Sequence, residues 1–151
     1  MSTPDTIVTR QQIVDLVTEL FVATDQRDWA AVKRCFAEQV LFDMSSAGAG
    51  PATRRTPDEI ADGWAAGLKA VEALHHQAGN FRVTAFEGRA TASCYGIAYH
   101  FRRTRSGRNT RTFVGSYSFV LERGGPHGWR ITSFRFDLKF IDGNAQLETD
   151  S

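Results

Sequence analysis

The sequence predicts a single α+β domain, helices first and then a curved antiparallel sheet, with a small-molecule pocket enclosed between them. Three observations carry this. Helical spacing of apolar residues is confined to the first half of the chain, two-residue alternation runs through the second, and a length of 151 residues suits one hydrophobic core. A chain of this size buries roughly 70% of the surface it exposes when unfolded, so it needs no disulfide or metal staple. Hydrophobic residues at 42%, charged residues at 23% and eleven Phe describe an ordinary globular interior and exclude a disordered body. One domain is expected over residues 1–151, its ordered core over about 8–143, with both termini frayed.

The elements follow in order. From Thr9 to Asp25, the residues Ile13, Val14, Leu16, Val17, Leu20 and Phe21 recur at three- and four-residue steps, the buried face of an amphipathic helix. Asp28 is placed to accept from the amides that follow it and predicts the N-cap of a short second helix carrying Trp29, Val32 and Phe36. The chain then turns extended at Val40-Leu41-Phe42. Ser45 to Arg55, rich in Gly, Ala, Ser and Pro and without periodicity, reads as a loop over a binding site, a candidate lid. Thr56-Pro57-Asp58-Glu59 joins a cap residue, a proline at the first helical position and an acid three beyond the cap, which starts a third helix striped by Ile60, Trp64, Leu68, Val71 and Leu74. From His76 onward period two takes over, broken at Glu87-Gly88, Ser106-Gly107 and Gly124-Gly125-Pro126. This predicts strands near 77–86, 89–104, 109–123 and 128–141, and a frayed tail from Asn144 to Ser151.

Charge and cysteine usage narrow the function classes. A net charge of +1 provides no global field to gather nucleic acid or an anionic membrane. Arg102, Arg103, Arg105, Arg108 and Arg111 do crowd around Ser106-Gly107, as a phosphate-binding finger or a solvated hairpin tip. The lack of interleaved aromatic residues favours the tip. Cys35 and Cys94 are too few and too far apart for a zinc site, and a reduced, cytoplasmic setting fits them. No run approaches the ~18 apolar residues of a membrane span, and Met1-Ser2-Thr3-Pro4-Asp5 lacks the basic start of a signal peptide. Gly124-Gly125-Pro126 is not followed by the lysine and helix of a phosphate loop.

Asp25 is the residue that invites a chemical reading. It ends the first helix, where the negative pole disfavours a carboxylate by ~0.3–1 kcal/mol, so a compensating partner is expected. His75 and His76 open the first long strand, where helix and sheet meet. An aspartate that accepts the Nδ1 proton of a histidine fixes its tautomer and leaves Nε2 as a base near neutral pH. The plain alternative is a surface turn in which Asp25 pairs with Arg27 and the histidines have no task. In the strand near 89–104, Thr91, Ser93, Tyr95, Ile97 and Tyr99 share one face, and Ala92, Cys94, Gly96, Ala98 and His100 the other. Spacing does not say which face points inward: small residues leave room for a ligand, or let another element approach. His100, on that second face, is a pocket candidate or else a core or interface histidine, and Tyr117, among Phe113, Phe119 and Val120, reads as core. Leu20, Phe21, Trp64, Phe134 and Phe136 give the pocket an apolar character that suits a ring-bearing ligand with one or two polar groups.

Asp25-Gln26-Arg27-Asp28-Trp29, then Phe36, Val40 and Phe42, His76-Gln77-Ala78-Gly79-Asn80, Gly88-Arg89-Ala90 and Gly128-Trp129-Arg130-Ile131 resemble, in order and spacing, the SnoaL-like branch of the nuclear transport factor 2-like superfamily. The resemblance implies a cone-shaped sheet with three N-terminal helices on one face around a deep pocket, and a homodimer or homotrimer. In the part of the branch that includes scytalone dehydratase, bile acid dehydratase and hexachlorocyclohexane dehydrochlorinase, it implies that an Asp at Asp25 and a His at His76 form a proton-abstracting dyad. It further implies a small apolar cyclic substrate and no cofactor, hence a dehydratase-like lyase or isomerase. The resemblance also shows departures: Leu20 and Phe134 stand where such enzymes carry a Tyr or Lys and an Arg. Neither can donate a hydrogen bond, so the electrophile must come from elsewhere, with Tyr95, Tyr99, His100, Tyr117 and Arg135 as candidates. The alternative is a non-catalytic binding or assembly domain of the same fold. The substrate-binding set is Leu20, Trp64, Tyr95, His100 and Phe134.

Overall fold

The computed structural model describes residues 4–148. Helix α1 spans Pro4–Asp25, α2 Trp29–Lys33 and α3 Pro57–Gly67; the strands are β1 Phe36–Asp43, β2 Thr53–Arg55, β3 Ala73–Phe86, β4 Arg89–Phe101, β5 Thr110–Arg123 and β6 Trp129–Gly143. They form one open, curved six-stranded sheet in the order β2-β1-β6-β5-β4-β3. All neighbours are antiparallel except β1 and β6, which run parallel. Register shifts between Gly79 and Arg82 in β3, and opposite Val114/Gly115 and Val120/Leu121 of β5, where β6 carries the extra residues Lys139 and Thr132, bend the long strands, so the sheet wraps the helical layer.

The predicted caps are in place. Asp28 accepts from the Ala31 amide at 3.1 Å, and Thr56 and Glu59 form a reciprocal capping box at the start of α3. Several boundaries differ from expectation, and α1 begins at Pro4, ahead of the Thr9 start and of the ordered core expected from about residue 8. Phe36 belongs to β1 and not to α2. The α3 stripe stops at Gly67, because Arg27 takes the carbonyls of Leu68 and Val71 through Nη1 and Nη2, and Leu74 continues in β3. The Ser45–Arg55 stretch is not all loop: it holds a 3-10 turn at Ser45–Ala47 and the edge strand β2. The tail is held through Glu148, since Asn144 donates to the Arg108 carbonyl and to Glu148, and Leu147 is buried. Residues 149–151 of the expected frayed end lie outside the described residues.

The core lies between α1 and the concave face of the sheet. Ile13, Leu16, Val17 and Leu20 meet Phe119, Leu121, Trp129, Ile131 and Phe134, all essentially sealed from solvent. This burial is the main driving force for the fold. On β4 it is the small-residue face, Ala90, Ala92, Cys94, Gly96, Ala98 and His100, that turns inward. A Cβ at Gly96 would sit 2.1 Å from Cε2 of Tyr117, so that ring lies directly on the backbone and only glycine fits beneath it. The opposite face leaves Tyr95 and Tyr99 exposed, and Phe140 of β6, paired with Val114, is exposed on the same side.

Candidate active site

A cavity of about 340 Å³ opens between α1, α3, the 44–49 segment and the sheet. That is near the lower end of the roughly 300–1,000 Å³ usual for small-molecule sites. Phe21, Trp64, Leu68, Phe113, Phe134 and Phe136 supply most of its wall; Thr24, His76, His100, Arg111 and Tyr117 supply its polar groups. Met44, Ala47 and Ala49 close one side. The segment that carries them is pinned to β6, because Ser46 Oγ donates to the Phe136 carbonyl at 2.7 Å and accepts from the Leu138 amide at 2.8 Å.

The Asp25 carboxylate grips His76 twice. Oδ2 accepts from the His76 backbone N–H at 2.9 Å, and Oδ1 lies 2.6 Å from ring Nδ1. Both side chains are largely withdrawn from solvent, at 18% and 13% exposure. A carboxylate only accepts, so Nδ1 carries the ring proton and Nε2 keeps its lone pair. The imidazole lies flat against Phe21, centroids 5.3 Å apart and planes 4° from parallel, which fixes its orientation. The helix pole at Asp25, with no basic residue in the last turn of α1, is thus offset by donors from β3. Arg27 is not its partner, being committed to the 68–71 carbonyls. His75 points to the other face, exposed and beside Tyr99.

Strand register places the remaining polar groups. Leu74 pairs with His100 and His100 with Arg111, while His76 pairs with Ala98 and Ala98 with Phe113. His100 and Arg111 therefore form the row next to the dyad on the same concave face. Arg111 Nη2 lies 2.9 Å from His100 Nδ1, and since a guanidinium only donates, Nδ1 accepts and Nε2 carries the hydrogen. Burial, and then the neighbouring Arg111 charge, push the His100 pKa down to about 4, so the ring is neutral at pH 7. Burial raises the Tyr117 phenol well above its usual value, which keeps that hydroxyl protonated as a donor. The buried thiols of Cys35 and Cys94 are pushed up to about 12 and are not nucleophiles at neutral pH.

Of the predicted ligand-binding residues, Trp64, His100 and Phe134 line the cavity. Leu20 and Tyr95 do not. Leu20 is fully buried in the packing between α1 and the sheet, and Tyr95 lies on the convex face, 54% exposed, with Lys139 Nζ over its ring at 3.8 Å. Tyr99 and Arg135 also stand outside the cavity, Arg135 paired with Asp137. Arg111, read from sequence as part of a hairpin tip, is the residue that reasoning missed. Its signal was the alternation Arg111, Phe113, Gly115, Tyr117 along β5. Among the described residues no group of three or more His, Cys, Asp or Glu is placed to hold a metal ion, and no helix is long and apolar enough to cross a membrane.

Solved structures share this architecture. The Kfla4162 protein of Kribbella flavida is 22% identical with a TM-score of 0.85, over 91% of this chain and 95% of that one. A candidate aromatic ring hydroxylase of Novosphingobium aromaticivorans is 27% identical with a TM-score of 0.79, over 97% and 99%. A type 2 hexachlorocyclohexane dehydrochlorinase, LinA, is 13% identical with a TM-score of 0.78, over 99% and 98%. No curated protein sequence matches the chain. The SnoaL-like domain model matches residues 5–135, nearly the whole span that builds the helical layer, the sheet and the cavity, and the chain belongs to that family.

Proposed function

We propose that this protein is a cofactor-independent, dehydratase-like lyase or isomerase in which His76, oriented by Asp25, takes a proton from a small, largely apolar cyclic substrate. The observation that carries the reading is the 2.6 Å contact between Asp25 Oδ1 and His76 Nδ1 at the wall of an aromatic-lined cavity. In this mechanism Nε2 removes a proton from carbon, and the resulting imidazolium is stabilised by the carboxylate already bonded to Nδ1. The electron pair left on carbon either expels a group from the adjacent carbon or moves into a conjugated carbonyl. Tyr117 is the donor assigned to that oxygen: its ring packs on Phe21, as His76 does, and no other group among the described residues takes its hydroxyl proton. It fills the role that Leu20 and Phe134 cannot. Dehydrochlorinase, the name borne by one of the fold neighbours, denotes an elimination, which supports this class.

The test is proton exchange. Incubated in deuterium oxide with 2-tetralone and related bicyclic ketones, the protein is expected to speed loss of the proton signal next to the carbonyl, followed by NMR. Exchange no faster than in buffer across that set would leave a non-catalytic binding domain as the better reading. Self-association belongs to the same proposal. Tyr99 and Phe140 leave apolar surface on the convex side, 40% and 55% exposed, which suits a homodimer or homotrimer. Light scattering that gives the mass of one chain would remove that part.

A further inference from the structure

The geometry points to Arg111, braced by His100, as the seat of an anionic oxygen group on the ligand, making the substrate a ring-bearing organic acid. This rests on the proposed function only for the position of the reacting carbon, beside His76. Arg111 is a cation on the wall of an apolar cavity, and every contact it makes among the described residues is to a neutral group. Nη2 meets His100 Nδ1 at 2.9 Å, Nη1 meets the Ala145 carbonyl at 3.4 Å, and the guanidinium lies over the Phe113 ring, 5.2 Å from its centroid. Nε is buried without a hydrogen-bond partner. Two other arginines of the sheet pair with carboxylates, Arg130 with Glu122 at 2.6 Å and Arg135 with Asp137 at 2.9 Å, while Arg55 and Arg123, which lie over the Phe42 and Trp129 rings, stand outside the cavity; Arg111 is the arginine on its wall.

Asp25, the acid of the dyad, does not fill the gap, since both its oxygens are engaged by His76. Arg111 is half-buried, and a neutral ligand entering the cavity would withdraw its charge further from water with no counter-charge in return, which is costly. An anionic ligand offsets that cost. His100 adds to the site, because with Nδ1 accepting from Arg111 its Nε2–H is a second donor in the same row. The row of His100 and Arg111 lies two residues along the strands from the row of His76, roughly 7 Å at the rise of a β-strand. That spacing places the acid group about one ring's width from the carbon that loses its proton.

Calorimetric titration of the protein with 2-naphthoate and with its neutral isostere 2-naphthamide tests this. The acid is expected to bind roughly tenfold to hundredfold tighter than the amide, as a charge-assisted hydrogen bond implies. Arg111→Gln should erase the preference while leaving amide affinity within a few-fold. His76→Ala should keep it, because that residue acts only on the proton. Equal affinities for the two probes in the unmodified protein, a preference that survives Arg111→Gln, or binding of neither probe would each overturn the proposal. The wild-type comparison decides alone should the glutamine variant not fold. An acid preference without any proton exchange would leave the anion seat standing and remove the catalytic reading.

Discussion

Asp25→Asn is expected to lower the rate of proton exchange by about 10²–10⁴-fold while the far-UV circular dichroism stays that of the parent. The expectation comes from donor and acceptor arithmetic at one side chain. Asp25 satisfies two donors, the His76 backbone N–H at 2.9 Å and the ring at 2.6 Å. An asparagine has one acceptor oxygen and one donor nitrogen. The backbone N–H is a fixed donor, so the amide oxygen must turn to it, and the amide nitrogen then faces ring Nδ1. The imidazole answers by carrying its proton on Nε2, the atom that should have been the base. Shape is kept and chemistry is lost. His76→Ala should fall as far by deleting the base outright, and the two losses should not add in the double variant, because both remove one function. An asparagine variant with the parent's exchange rate would show that the contact is structural and that the base lies elsewhere.

Local chemistry was readable in the sequence wherever it depended on neighbours along the chain. Asp28 and the Thr56 to Glu59 box cap their helices as their residue types require, and the alternation from β3 to β6 finds the four long strands. The conflict of Asp25 with its own helix pole pointed to a donor from the sheet, and His76 supplies it. What stayed hidden depends on contacts between distant segments. Alternation divides β4 into two faces without saying which is inside; the small face is inside because the Tyr117 ring from β5 lies on Gly96. Tyr95 was misplaced and Leu20 mistaken for wall for this reason: a residue's period fixes its face, and packing decides what covers it. The parallel pairing of β1 with β6 joins residues almost a hundred positions apart, such as Phe36 and Ile131, and no local pattern encodes it. Arg111 was masked by its company. Four arginines of the hairpin tip made the fifth look like more of the same charge, although it alone falls on the concave side of β5.

Acidification is expected to destabilise the protein through His100 by about 3 kcal/mol between pH 7 and pH 4. The unfolded imidazole titrates at its ordinary value of 6.5, whereas in the fold burial and Arg111 hold it down to about 4. In that window the unfolded chain binds a proton that the folded one refuses, so stability is full above 6.5 and is lost as pH falls toward 4. Of the charges facing the ring, Arg111 and His76 oppose its protonation and Asp25 favours it; the net shift is downward because burial and Arg111 dominate. His100→Gln offers an amide oxygen to Arg111 Nη2 but nothing that titrates. Urea unfolding of both proteins at pH 7 and pH 4 should show the glutamine variant losing about 3 kcal/mol less than the parent. Equal losses would mean that the imidazole is protonated as readily in the fold as out of it. Below pH 6.5 the cavity would then hold two cations side by side, and Nδ1 of His100, carrying a hydrogen, could not accept from Arg111 as the anion seat requires.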